Sequence, residues 1–463
     1  MKKTQEDGLR PLERFIFEEM ADSNLPGLSI AAIKDGSLFY KRGFGFRDLK
    51  TGASATPDSL FCIGSVTKSF TCLAIMQLQE RGLLNIDEPI GEYVPLSLEP
   101  MGEPIAIKHL MSHTSGIPAL GYAEASLSRL TRKPDRWLPI SNVEDMLTFM
   151  GGVGEWVQSR PGERWFYLNE GYILLGSVIE EASGESYADY IKKHILRPLK
   201  MNRSTFEKED VEGDPDVATP HATGEGGERI PAEYPYGEML SDGGLMSSVD
   251  EMSNYLEMLL AYGEFENHRV ASPESIRAMI EPKIRTPEEP LEGRGHTFYG
   301  YGFRVKSDFF GLDLVHHSGS VYVSSAYLGF VPEERVGVVV LTNAGYFLQS
   351  IGEYALALLM DEDPMEVLAL RRARILDDLT GNYQAYGGTM NFKVTRNGGV
   401  LQLEMRFGKR AFTTPLMPVS IEEETKVFNV LGIDYTTPVE FIEKDKETIM
   451  VYERYKLKRI SDL

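Results

Sequence analysis

The sequence predicts an α/β fold: one antiparallel sheet assembled from the two ends of a first domain, a helical subdomain beside it, and a small antiparallel β-barrel after it. Three observations carry that expectation. Strand patterns stand at residues 27–45 and return between 299 and 344. The stretch between them, 100–290, is mostly helical. Beyond residue 379 the pattern changes to short strands of period two. Strands on either side of a helical insert bury their apolar faces by pairing with each other.

Each element has its own local reason. "GLSIAAIKDGSLFYKRGFG" (27–45) reads as two strands around an Asp35-Gly36 turn, a strong hairpin signal. "SVTKSFTCLAIMQLQERG" (65–82) is apolar around most of a helical circumference and stops at Gly82, so it predicts a buried helix closed by a left-handed glycine. "YILLGSVIEEASGESYADYIKKHIL" (172–196) is the clearest helical run of the middle region. The segment 207–237, rich in Gly, Pro and Glu, predicts a long loop acting as a lid or binding edge, its glutamates forming a solvated surface. "YGYGFRV", "GLDLVHHSGSVY", "SSAYLGFVPE" and "VGVVVLTNA" then supply strands, followed by a helix over about 347–360.

A composition change near residue 364 opens a helical or extended connector. Met390, Phe392 and Val394, an Asn397-Gly398 turn, and Leu401, Leu403 and Met405 then alternate with period two. Further short strands at "KVFNV", "VEFIE" and "TIMVYERY" predict a barrel closed on itself. The expected domains are 1–362, a connector 363–378, and a barrel 379–463.

Composition excludes several classes of function. Hydrophobic residues make up 42% and charged residues 25%, as in ordinary globular chains, but the net charge is -21. Such a chain repels phosphate backbones and anionic lipid, so neither nucleic acid nor a membrane surface is an expected partner. "MKKTQEDGLRPLERF" lacks the apolar core of a secretory signal, and no apolar run is long enough to span a bilayer, so a cytoplasmic location is expected. Cys62 and Cys72 lack metal-ligand spacing and are expected to be buried free thiols on one short helical unit.

The chemistry centres on "FCIGSVTKSF" (61–70). Ser65 is the one serine in the chain followed three places later by a lysine, Lys68. Positions i and i+3 share a helical face, so the hydroxyl and the amine can meet; a serine at a helix start is also a common cap. A lysine in water, with a pKa of about 10.4, costs about 4.6 kcal/mol to deprotonate at pH 7, and burial lowers that cost. A second polar group is therefore expected to help carry the proton. Tyr167-Leu168-Asn169 is the one Tyr-x-Asn in the chain, placed after a Pro-Gly turn and before a helix. A phenol near an ammonium ionises more easily, so Tyr167 can act as base and then as acid. Asn169 offers a donor and an acceptor to a substrate amide. His317-Ser318-Gly319 lies near the end of a strand, where glycine permits close approach and free amides can bind an extended peptide or a developing oxyanion together with the amide of Ser65.

With these three motifs in order, the chain resembles the penicillin-recognising serine hydrolases: class C β-lactamases, D-aminopeptidases, D,D-carboxypeptidases and related esterases. "HLMSHTSGIP", "SDGGLMSSVDEM" and "YGYGFRV" also match, and the likeness covers residues 8 to about 360. It implies a β-lactamase-like fold, Ser65 as the acylated nucleophile, Lys68 with Tyr167 as proton shuttle, and the backbone amide of Ser320 as the second oxyanion donor. Which of Lys68 and Tyr167 takes the first proton is disputed in relatives with this motif. One departure stands out. Many β-lactamases and carboxypeptidases carry lysine where this chain has His317, and a histidine lacks that fixed charge near neutral pH, which favours a peptidase or esterase over a β-lactamase. "LTGNYQAYGGTMNF" onward resembles the lipocalin-like domain of archaeal self-compartmentalising serine peptidases, which form cubic octamers; the likeness implies a homo-oligomer, with a ligand-binding or stabilising domain as the alternative.

The expected function is thus an acyl-serine peptidase on short peptides, D-residue peptides included, with no cofactor and no metal. An esterase or β-lactamase on the same scaffold is the nearer rival; a non-catalytic sensor or a ligand carrier is the rival from another class. His109 and His113 are expected to be structural, since no G-x-S-x-G elbow accompanies them. His296, His316 and His317 lack carboxylate partners at ligand spacing, and neighbours on a strand face opposite ways.

Overall fold

The computed structural model describes residues 8–131, 138–237, 240–290, 295–407, 410–421, 424–444 and 447–462. Residues 1–7, on which the expectation about a secretory signal partly rests, lie outside them. The chain divides into two compact units, Met1–Pro364 and Met365–Leu463.

The first unit opens with helix α1 (Arg10–Asp22), which the sequence reading did not include. Pro11 suits its first turn, and Leu12, Ile16 and Met20 recur at a spacing of four to form its buried face. Strands β1 (Gly27–Lys34) and β2 (Ser37–Asp48) form the expected hairpin. Asp35 and Gly36 both have positive φ, 56° and 76°, as a tight turn between twisted strands requires. Then come β3 (Ala53–Ser54) and β4 (Phe61–Cys62), and a 3-10 turn (Gly64–Val66) that runs into helix α2 (Thr67–Glu80).

The large antiparallel sheet has nine strands, in the order Ile284–Arg285, Thr297–Tyr299, Arg304–Phe309, Leu312–Ser320, Ser325–Val331, Val336–Thr342, β1, β2, β3. The two chain ends meet where β1 pairs with Val336–Thr342, from Leu28↔Thr342 to Ile33↔Gly337. Both central strands are almost wholly buried because helices cover both faces. Gly337 faces Leu256 of the helix Val249–Leu260. Tyr327, opposite Val340 and so on the other face, meets Gly352 of the helix Gln349–Leu359.

Helix α2 lies inside the subdomain, with every residue from Thr67 to Leu78 buried. Two of its hydroxyls are paired, one locally and one across the fold: Ser69 Oγ donates to the Val66 carbonyl and Thr71 Oγ1 to that of Ser241. Cys62 and Cys72 are free, buried thiols, each pushed up to about 12 by burial. They do not share a helical unit, since Cys62 belongs to β4 and Cys72 to α2. The segment 207–237 is not a structureless lid. It holds a short helix (Lys208–Glu212) and a hairpin (His221–Thr223 with Arg229–Pro231), and Tyr234 donates its hydroxyl to the Ala218 carbonyl.

The second unit is a closed barrel of eight antiparallel strands, from Gly381–Ala385 to Tyr455–Ser461, the last pairing with the first. Closure leaves no free edge. Phe392, Val394, Leu401 and Leu403 point inward, as the alternation predicts. The segment read as a helical or extended connector forms the helix Leu368–Asp378 within this unit, where Leu376 and the following Leu379 join the barrel's core.

In the first unit, Lys306 of the strand Arg304–Phe309 donates to both carboxylate oxygens of Glu353 at 3.0 Å, and the Glu353 side chain is only 1% exposed. Removing one partner of a buried pair strands the other charge. Lys306→Met is expected to destabilise this unit by about 3 kcal/mol, read as a lower urea midpoint, and adding Glu353→Leu to recover most of the loss.

Candidate active site

The turn from β4 into α2 places Ser65 one helical turn before Lys68. Ser65 is no cap: Val66 occupies the cap position of α2, and no side chain bonds to that helix end. The Ser65 hydroxyl lies 3.0 Å from Lys68 Nζ instead.

Lys68 is fully buried. Its amine also donates to Asn169 Oδ1 at 2.8 Å and to the Asp242 backbone carbonyl at 2.6 Å. Those two oxygens can only accept, so they take two N–H bonds whatever the protonation state of the lysine. The remaining direction points at Ser65. It is an N–H when the amine is charged and a lone pair when it is neutral, so a proton can pass between serine and lysine without moving either side chain.

Asn169 is the first residue of the helix Asn169–Ser183. With Oδ1 engaged by Lys68, its NH2 is the group left for a substrate carbonyl. Tyr167, two residues earlier, is half-buried, and Lys68 Nζ sits 5.0 Å from its ring centroid, with the Tyr172 ring at 5.3 Å. Among the described residues the Tyr167 hydroxyl has no hydrogen-bond partner, which leaves it available to a substrate or to Ser65. The Tyr167 loop is pinned from behind: Phe166 N donates to the His113 carbonyl and Gly162 N to that of Thr114. His113 Nδ1 accepts from Leu168 N at 3.0 Å, and its ring packs 4.2 Å from the Tyr167 ring. Burial, with Lys68 adding, holds His113 well below the usual histidine range, so this ring is a neutral wall of the site.

His317, Ser318, Gly319 and Ser320 lie on the strand Leu312–Ser320, bonded to Ser325–Val331 on one side. A Cβ on Gly319 would come within 1.9 Å of the Ile63 carbonyl oxygen and 3.0 Å of Ser65 N. Gly64, at φ 52°, would with a Cβ meet Ser320 N at 2.6 Å. These two glycines let the strand and the Ser65 turn touch backbone to backbone, which brings the Ser65 amide against Gly319 and Ser320. The side chains of Ser318 and Ser320 are exposed, and Ser320 Oγ accepts from Tyr322 N at 3.3 Å.

His317 is buried, and its Nδ1 lies 2.7 Å from the Ser318 carbonyl, which can only accept. Nδ1 therefore carries the hydrogen, and Nε2 accepts from the Tyr299 hydroxyl at 3.0 Å. Burial, aided by Lys68 and Arg304, pushes His317 down to about 3, so it is neutral near pH 7. Arg304 supplies the nearby fixed charge, resting 5.1 Å from the Trp165 ring and paired with Glu288.

The structure therefore gathers Ser65, Lys68, Tyr167, Asn169 and the 317–320 strand around one point. His113, Tyr299, Arg304 and Asp242 complete the surroundings and were not assigned there from sequence. "HTSG", "SDGG" and "YGYGFRV" were the phrases that carried the signal for them, the last holding both Tyr299 and Arg304. The other histidines weighed from the sequence lie elsewhere: His109 Nδ1 accepts from Ala106 N, His296 bonds to Arg285, and His316 faces Tyr327. Among the described residues no group of three or more His, Cys, Asp or Glu could hold a metal, and no helix is long and apolar enough to cross a membrane.

Comparison with known proteins bears on this geometry. The family model described as Beta-lactamase matches residues 12–359. The chain belongs to the beta-lactamase family. A second model, described as Pab87 octamerisation domain, matches residues 364–458. The octameric penicillin-binding protein homologue from Pyrococcus abyssi is 42% identical, with a TM-score of 0.90 over 97% of this chain and 99% of that one. The penicillin binding protein from Bacillus halodurans shares the fold at 23% identity and a TM-score of 0.60, over 75% of this chain and 99% of that one. Protein flp of Staphylococcus aureus (strain MW2) is 26% identical over 73% of this chain, which spans 63% of that protein's length. The beta-lactamase family is one of serine acyl-transfer hydrolases, and the fold of this chain is the family's: a large antiparallel sheet with a helical subdomain, followed here by the eight-stranded barrel.

Two expectations follow for this family member. His317 should keep its Nδ1–H tautomer from about pH 9 down to about pH 5, with flat ring 15N shifts in NMR titration. Gly319→Ala should destabilise the first unit by about 1–3 kcal/mol, read as a lower urea midpoint, because the added methyl group overlaps the Ile63 carbonyl; an unchanged midpoint would show that the contact is dispensable.

Proposed function

We propose that this protein is a serine peptidase acting on short peptides, D-amino-acid peptides among its candidate substrates, through an acyl-serine intermediate formed on Ser65. The observation that carries this reading is the Lys68 amine held by two acceptors, with its third direction on the Ser65 hydroxyl.

In the proposed reaction, Ser65 Oγ attacks the scissile carbonyl carbon and its proton passes to the Lys68–Tyr167 pair. The carbonyl π electrons move to oxygen, and the backbone amides of Ser65 and Ser320 receive the oxyanion. The C–N bond then breaks, the amine leaving with a proton from the pair, with Tyr167 best placed to deliver it because its hydroxyl is otherwise unbonded. Water attacks the ester, the pair takes its proton and returns one to Ser65 Oγ, and the acid is released.

Two features favour a peptide. The strand Arg304–Phe309 pairs with its neighbour only as far as Arg304↔His316, so among the described residues no strand covers 317–320 on that side. An extended peptide can add there as one more strand, while Asn169 binds a backbone carbonyl. The neutral His317 also withholds a cation at this strand position, and the nearby Arg304 is already paired with Glu288, so neither offers an unpaired charge to a β-lactam carboxylate. Assembly of the second unit into a homo-oligomer, with an octamer as the candidate state, is supported by its match to an octamerisation domain and by the octameric neighbour.

A fluorophosphonate probe is expected to label the wild-type protein and not Ser65→Ala; equal labelling of both would remove the acyl-serine reading. Tyr167→Phe should lower kcat/KM by about 10²–10⁴-fold. Turnover of L- and D-peptide amides should accompany that of p-nitrophenyl esters, and hydrolysis of the esters alone would defeat the peptidase assignment. Light scattering should report a mass near eight chains, and a monomer would defeat the assembly.

A further inference from the structure

Lys68 is held by the backbone of Asp242, whose own side chain the mechanism above does not use. Asp242 sits on a single helical turn, Leu240–Gly243, packed against α2, the helix Asn169–Ser183 and the Ser65 turn. Its carboxyl is fully buried, and neither oxygen has a hydrogen-bond partner among the described residues. A buried carboxylate without donors is costly and calls for a compensating charge.

The groups around it identify that charge. From α2, the Lys68 ammonium acts on Asp242. The helix Asn169–Ser183 contributes Glu170, a second buried carboxyl that is raised by burial and by Asp242. Tyr187 of the helix Tyr187–Ile191 and Cys62 of β4 also feel Asp242, and burial raises both, so they stay neutral near pH 7. Lys68 is the one cation acting on this carboxyl among the described groups.

We propose that Asp242 is a positioning residue for the reaction: its buried carboxylate is the counter-charge of Lys68 and makes the Lys68–Tyr167 pair a stronger base. The inference rests on the acyl-serine reading given above. Burial against the pull of Lys68 raises Asp242 to about 6, so the carboxylate carries its charge at and above neutral pH. The sign of the linkage shows what this does to the fold. A carboxyl raised above its unfolded value, about 3.9, contributes stability in full below that pH and loses it as pH rises through about 6. Holding the ion there opposes folding at neutral pH, and its effect lies in the chemistry. A negative charge beside the pair tightens its hold on a proton. Whichever member of the pair is free of its proton is then the stronger acceptor for the Ser65 proton.

The test is the pH dependence of Ser65 labelling by a fluorophosphonate, measured as a second-order rate on the full-length protein. Asp242→Asn keeps the shape and removes the charge. Its ascending limb is expected to move to lower pH by on the order of one unit, with a lower plateau rate. Asp242→Ala, which also removes the amide that asparagine could use to bond Lys68, should shift the limb in the same direction. An equal fall at every pH with the limb unmoved, in both variants, would assign Asp242 to packing and overturn the proposal, as would a shift to higher pH. Ser65→Ala serves as the separating control. Label that persists in it removes the acyl-serine reading itself, whereas Ser65-dependent label with an unmoved limb removes only the counter-charge.

Discussion

A buried lysine amine with two of its bonds fixed is the constraint on which the rest of the first unit depends. Lys68 lies on a helix buried from Thr67 to Leu78, so its charge cannot be solvated and has to be met by protein oxygens. Those oxygens come from far along the chain, 101 residues away at Asn169 and 174 at Asp242. The fold therefore has to close the helical subdomain around α2 before the amine is satisfied. Once it is, the one direction left leads to Ser65.

The second requirement is an approach between backbones that side chains would prevent. Gly64 and Gly319 sit where the Ser65 turn meets the sheet, and a Cβ at either would overlap main-chain atoms of the other segment. Sheet and subdomain thus meet at the site main chain to main chain, and further hydrogen bonds hold the seam. Ile63 N donates to the Leu245 carbonyl, and Ser324 Oγ donates to that of Cys62. On the Tyr167 side, His113 does comparable work, fixing Leu168 by a hydrogen bond and the phenol ring by packing. A site whose parts are each held from behind can keep reactive groups in place without substrate.

Much of this was legible in the sequence, and the physical reason differs from element to element. The β1–β2 hairpin was readable because Asp35-Gly36 encodes its turn within two residues. The barrel was readable because alternation marks which side chains point inward. The buried helix followed from its all-round apolar surface. Helix α1 was missed because its buried stripe is only Leu12, Ile16 and Met20 amid charged residues. The helix Leu368–Asp378 was legible only as a helical or extended connector because Leu376 is the one residue it buries. The 207–237 segment looked open because its glycines and prolines conceal a hairpin whose pairing is set by neighbours.

What the sequence determined on its own was local: the order of strands and helices, the spacing that puts Ser65 and Lys68 on one helical face, and the three motifs that carry the family likeness. Tertiary structure alone decided the charges. That His317 is neutral, that His113 walls the phenol, and that Asp242 keeps an unpartnered carboxyl near the lysine all depend on desolvation. Desolvation is set by what packs against a group from every side, and those neighbours come from segments that no local pattern connects.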